Sequence, residues 1–108
     1  SWSLKIDMVI GVLQVELAID GACSLKDKRR VVSSLKDRLH RRHMVSVAEV
    51  ASQDNHSLAV LGITLAASDT AYCQSVLDRI LDKLRENRGY VLNDHTQEIL
   101  TGNPMPSS

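Results

Sequence analysis

The segment SLKDKRRVVSSLKDRLHRRH, residues 24–43, holds eight Lys or Arg residues against two Asp, in a chain whose formal net charge is zero. Such a set is suited to binding anions. Lys26, Lys28, Arg29 and Arg30 crowd the first two turns of a helix begun at Ser24, where aligned peptide dipoles are already positive. Each cation placed there costs about 0.3–1 kcal/mol at an exposed site, and stability alone would favour acids. The free N–H groups of a helix start, the basic side chains and the Ser24 hydroxyl together make a phosphate or carboxylate site. Further along, Arg38 and Arg41 extend the candidate RNA phosphate-binding set to Ser24, Lys26, Lys28, Arg29, Arg30, Arg38 and Arg41.

Two other readings of the same residues stay open. Asp27 with Arg30 and Asp37 with Arg41 have i,i+3 and i,i+4 spacing, as expected for paired charges on a solvated helix face. In the second, the basic helix meets acids of another copy, since Glu16, Asp20, Glu49, Asp94 and Glu98 all fall outside the helical segments. Charge by segment is −2 over residues 1–23, +6 over 24–43, −2 over 44–68, zero over 69–88 and −2 over 89–108. The molecule is therefore dipolar.

Other chemistry is poorly represented. Glu16 and Asp20 share a strand face, but metal-assisted hydrolysis needs several converging oxygen ligands. His40 and His43 are spaced i,i+3 with no carboxylate or thiolate to complete a zinc set. Cys23 and Cys73 both fall near helix starts, where a thiolate is favoured, so a redox pair and inert thiols are both open. No Gly-rich phosphate loop or Ser/His/Asp order is present. No catalytic residue, metal or cofactor is expected, and the protein reads as a non-enzyme.

These residues need elements to position them. A chain of 108 residues, 44% hydrophobic, with no Phe, one Trp and two Tyr, fits one domain with an aliphatic core. From Val9 to Ile19 the odd positions are apolar or small while Gln14 and Glu16 alternate with them, the period of a strand with one buried face. Gly21 breaks it. Ser24 and Asp27 form a capping box with a shorter acid. In the helix that follows, Leu25, Val31, Val32, Leu35 and Leu39 share one arc, and Lys26, Arg30, Asp37, Arg38 and Arg41 face outward. Lys28 projects into the apolar arc, to snorkel past the core edge or reach a ligand.

MVSVAEVAS and SLAVLGITLAA read as a hairpin around Asp54 and Asn55. A second helix has Ser68 or Asp69 as N-cap, a buried face of Cys73, Val76, Leu77, Ile80, Leu81 and Leu84, and Gly89 as its stop. A weak final strand is YVLNDHTQEIL. The order strand, helix, strand, strand, helix, strand predicts an α+β, ferredoxin-like βαββαβ domain: a four-stranded antiparallel sheet with both helices on one face. That domain is expected over residues 8–100, after an extension or expression remnant at 1–7 and before a flexible tail at 101–108. The helices are expected to run roughly parallel, making Ser24 and Ser68 neighbours. Ile10, Val12 and Val60 are placed on the uncovered sheet face, where a partner, a ligand or a second subunit would cover them.

Over roughly Met8 to Leu100 the chain resembles the YlxP-like family of small uncharacterised bacterial proteins. The resemblance rests on GACSLKDKRRVVSSLKDRL after VIGVLQVEL, then VSVAEV, Gln53-Asp54 and a closing EIL. Its most specific piece is Ser24-Leu25-Lys26-Asp27-Lys28-Arg29. It implies a ferredoxin-like fold and, because the genes often lie near those for translation and ribosome-maturation factors, a role in that setting. Cys23 stands where the family more often has His or Arg, and His56 where it commonly has Trp.

The chain reads as an accessory module that binds structured RNA or a ribosomal particle and is a homo-oligomer through the open sheet face; the alternative is a homo-oligomeric structural or protein-interaction module with no nucleic-acid role. RNA contacts would go to phosphates rather than stacked bases, since the presumed central strands carry no aromatic residue. No apolar run reaches the length of a membrane span, no membrane partner is expected, and a cytoplasmic location is.

Overall fold

The computed structural model describes residues 8–86 and 89–101. The expectations for 1–7 and 102–108 lie outside these residues, and Thr101, expected in the tail, is the last residue of a strand. Along the chain run β1 (Val9–Ile19), α1 (Leu25–Arg42), β2 (Ser46–Ala51), β3 (Leu58–Ala67), α2 (Thr70–Glu86) and β4 (Tyr90–Thr101). The strands form one sheet in the order β2-β3-β1-β4, with every neighbouring pair antiparallel. This is the expected ferredoxin-like arrangement.

The period-two pattern of β1 translates directly into packing. Val9, Leu13, Val15, Leu17 and Ile19 are buried, as are their β3 counterparts Ala59, Leu61, Ile63 and Leu65. From the other side the core is closed by Val32, Leu35 and Leu39 of α1 and by all six residues expected on the buried face of α2. Gly11 occupies the one odd position of β1 where a side chain has no room. A Cβ there would lie 2.6 Å from Cys73 Sγ and 3.0 Å from Leu65 Cδ2. The missing side chain thus lets α2 sit down on the sheet.

The helices do not run parallel. Val9 pairs with Ala67 and Ala18 with Leu58, so β1 and β3 point in opposite directions. Helix α1 leaves from the Ile19 end of the sheet and α2 from the Val9 end, and each crosses back over it. Eleven residues of β1 span about 35 Å at roughly 3.3 Å each, so Ser24 and Ser68 lie at opposite ends. Cys23 and Cys73 are separated in the same way, with Cys23 exposed beyond β1 and Cys73 buried against Gly11. A disulfide needs Cα atoms within about 7 Å, so the redox pair is ruled out.

Local signals end each element where the sequence places them. Gly21 and Gly89 both adopt positive φ, 69° and 97°, the left-handed region that favours glycine. Asp69 rather than Ser68 caps α2, its Oδ2 accepting from the Tyr72 N–H at 2.8 Å. In β4 a bulge falls opposite Glu16/Leu17, which restores the alternation after Leu92 so that His95, Gln97 and Ile99 face the helices.

Candidate anion-binding helix

Helix α1 starts at a cap already occupied by its own side chains. Ser24 Oγ accepts from the Asp27 N–H at 3.2 Å, and Asp27 Oδ2 accepts from the Cys23 N–H at 3.0 Å. The shorter acid reaches one residue further back than the Glu of an ordinary capping box. A carboxylate therefore already sits at the positive end of the helix. Ser24 has a capping role, and the Asp27 carboxylate occupies the helix start where an outside anion was expected.

Lys28 is a second departure. Its side chain is 1% exposed, and its Nζ donates to the carbonyls of Ser52 at 2.9 Å, Leu58 at 3.1 Å and Gln53 at 3.2 Å. Glu49 Oε2, shut off from solvent, lies 2.8 Å from the same ammonium. Four oxygens surround three N–H donors, so nothing remains for a ligand. The lysine neither snorkels nor binds an outside anion. It ties α1 to the β2–β3 hairpin, whose Ser52 holds φ 57°, a strained value for a residue with a side chain.

The remaining cations divide between two surfaces. Lys26, Arg29, Arg30 and Arg41 are exposed around a shallow groove on the outer face of α1, shared with Ser33, Ser34 and Asp37. The pairs expected there do not form. Arg41 Nε donates to the Asp37 main-chain carbonyl at 3.4 Å, and the Asp27 carboxylate is spent on the cap. The ion pairs among the described residues are Lys28 with Glu49 and the exposed Arg85 with Asp82. Arg38, expected outward, instead flanks a cleft between the helices, with its Nε buried and, among the described residues, lacking a hydrogen-bond partner.

The open face of the sheet mixes apolar and acidic residues. Ile10 and Val12 are half-buried and Val60 is buried, while Val50, Val91 and Leu100 are exposed. Glu16 pairs with Asp94 and Val12 with Glu98 across β1 and β4. β1 and β3, the two central strands, contribute no aromatic side chain to this face. Among the described residues no group of three or more His, Cys, Asp or Glu could hold a metal ion, and no helix is long and apolar enough to cross a membrane.

Sequence reasoning missed two partners. Glu49 follows Val47 on the helix-facing side of β2, so a buried-side acid opposite a buried-side lysine was a legible signal. Nothing comparable announces His56, whose Nδ1 lies 3.0 Å from the Ala22 carbonyl. That contact brings His56 beside Cys23, so the two departures from the resembled family meet at the Ile19 end of the sheet.

Comparison with known proteins agrees with the topology. Against "Uncharacterized protein YlxP" of Bacillus subtilis (strain 168) the chain is 32% identical over 73 residues, covering 68% of this chain and 79% of that protein. The de novo designed protein Foldit4 has a similar fold at 14% identity and a TM-score of 0.50, over 89% of this chain and 97% of that one. A second design with a ferredoxin fold, LFR1 1, aligns over 92% of this chain and 89% of its own with a TM-score of 0.45 at 16% identity. A family model, "Protein of unknown function (DUF503)", matches residues 10–97. With that span of the domain matched and the relative at this identity, the chain belongs to the DUF503 family.

Proposed function

We propose that the outer face of α1 is a docking surface for structured RNA, and that the protein is a non-enzymatic accessory module in translation or ribosome maturation. One observation carries the reading: Lys26, Arg29, Arg30 and Arg41 are exposed on one face, and among the described residues no carboxylate pairs with them. Unpaired cations aligned along a rigid helix suit a phosphate backbone, with Arg supplying planar forks and Lys a point charge. The central strands lack aromatic residues for base stacking, which favours recognition of RNA shape over sequence.

A second reading is self-association through the open sheet face, favoured by the exposed Val50, Val91 and Leu100. Salt separates the two, because electrostatic binding weakens steeply with salt and apolar contact persists. Fluorescence anisotropy with structured ribosomal RNA fragments at low and high salt is the test, comparing wild type with Lys26→Ala/Arg29→Ala/Arg30→Ala. Salt-sensitive binding lost in the folded triple variant is expected. Absence of binding, together with an oligomer insensitive to salt, would leave the self-association reading.

A further inference from the structure

Between α1 and α2 lies a cleft of about 240 Å³, room for about eight waters at roughly 30 Å³ each. Its charged walls are Arg38 and Arg42 from α1 and Lys83 and Glu86 from α2, with His43 also lining it. Among the described residues neither Arg38, Arg42 nor Lys83 forms an ion pair with Glu86 or with any other acid. The fixed charge of these walls is therefore positive. Among the described residues Arg38 Nε is shut off from solvent with no acceptor. Leu35 and Leu39 supply an apolar lining and Tyr90 an aromatic one.

We infer that this interhelical cleft binds a small molecule carrying a phosphate group, with Arg38, Arg42 and Lys83 holding the phosphate and the Leu35, Leu39 and Tyr90 side receiving an apolar organic part. A dianion would offset the unpaired positive walls, with the guanidinium and ammonium groups that line the cleft donating to its oxygens. The volume exceeds the needs of a bare phosphate, and Leu35, Leu39 and Tyr90 beside the charged groups give an organic part an apolar surface to cover. This site is separate from the outer face of α1: Arg38 and Arg42 occupy the flank towards α2, whereas Lys26, Arg29, Arg30 and Arg41 lie around the far side.

His43 reports on the cleft. Its pKa is held below the ordinary value by burial first, then by the positive charges of Arg79, Arg42 and Lys83; His40 also lies nearby. An anion in the cleft should reverse the electrostatic part of that effect.

The test is NMR observation of the His43 imidazole, assigned with His43→Gln, during titration of the full chain at constant ionic strength. The probes are phenyl phosphate and inorganic phosphate, used separately. A saturable shift is expected with phenyl phosphate, with a raised His43 pKa and at least tenfold weaker binding in Arg38→Gln/Lys83→Gln. The exposed single variant Lys83→Gln, which leaves the half-buried Arg38 in place, should bind severalfold more weakly. Binding by the triple variant Lys26→Ala/Arg29→Ala/Arg30→Ala should match wild type. Phenyl phosphate binding several times tighter than inorganic phosphate supports an organic ester, whereas equal binding overturns the organic part and assigns the cleft to free phosphate. No saturable shift with either probe, or undiminished binding in both Lys83→Gln and the double variant, would overturn the inference.

Discussion

Lys28 and Glu49 form a pair whose two members are worth more together than either is alone. Replacing Lys28 with Met leaves Glu49 Oε2 and three carbonyls without their donor. Breaking a buried pair from one side typically costs about 3–5 kcal/mol, whereas replacing both sides with apolar groups is far milder. Urea denaturation should show Lys28→Met destabilised in that range, with Lys28→Met/Glu49→Leu recovering part of the loss. If Lys28→Met unfolds at the wild-type midpoint, the lysine is not the tie between α1 and the hairpin. The two thiols make a second residue-scale prediction. Burial raises the pKa of Cys73, so in the native protein an alkylating reagent should modify exposed Cys23 quickly and Cys73 only on unfolding. Rapid loss of both thiols, or an intrachain disulfide on oxidation, would contradict their placement at opposite ends of the sheet. The sequence marked Lys28 as the misfit in an apolar arc, but not its partners. Three of these are main-chain carbonyls, two in the β2–β3 loop and one at the first residue of β3, which side-chain patterning cannot identify.

Among the elements, the buried faces were the most legible part. The alternation of β1 and the Cys73–Leu84 stripe of α2 are each dictated by a repeat within one segment. Relative helix direction has no such local signature. It depends on β1 pairing antiparallel with β3, a contact between residues distant in sequence, and the parallel expectation failed there. Gly11 tests how closely α2 approaches the sheet. Gly11→Ala should cost about 1–3 kcal/mol in chemical denaturation by overpacking, and Cys73→Ala in the same chain should restore part of it. An unchanged midpoint would mean that α2 sits farther from β1. His43 at the end of α1 tests its own burial and, after that, the positive charge around it. Because its folded pKa lies below the unfolded value of 6.5, the unfolded chain binds more protons as pH falls through that window. Its contribution to stability should be complete above about pH 6.5 and decline on acidification towards the folded pKa. His43→Gln should flatten that part of the thermal-stability profile, and an unchanged slope would contradict the shift.

For the whole molecule, a formal charge of zero conceals a separation of roles along one helix. α1 places one lysine in the core, Arg38 and Arg42 on an interhelical cleft, and Lys26, Arg29, Arg30 and Arg41 on an open face. The sequence supplied these residues as one basic set, because composition counts charges without regard to the side each takes. Burial of Lys28 and the turning of Arg38 arise from packing against β2–β3 and α2, which no single segment encodes. The outer face carries the functional claim, and the salt dependence of RNA affinity measures it most directly. Each phosphate contact contributes about 0.7–0.9 to the slope of log K against log salt. Arg41→Gln and Lys26→Gln should each lower that slope by about this amount, while Arg85→Gln, an equal change in net charge on the other helix, should leave it unchanged. Equal effects from all three substitutions, or a slope near zero in the wild type, would contradict an RNA surface on α1.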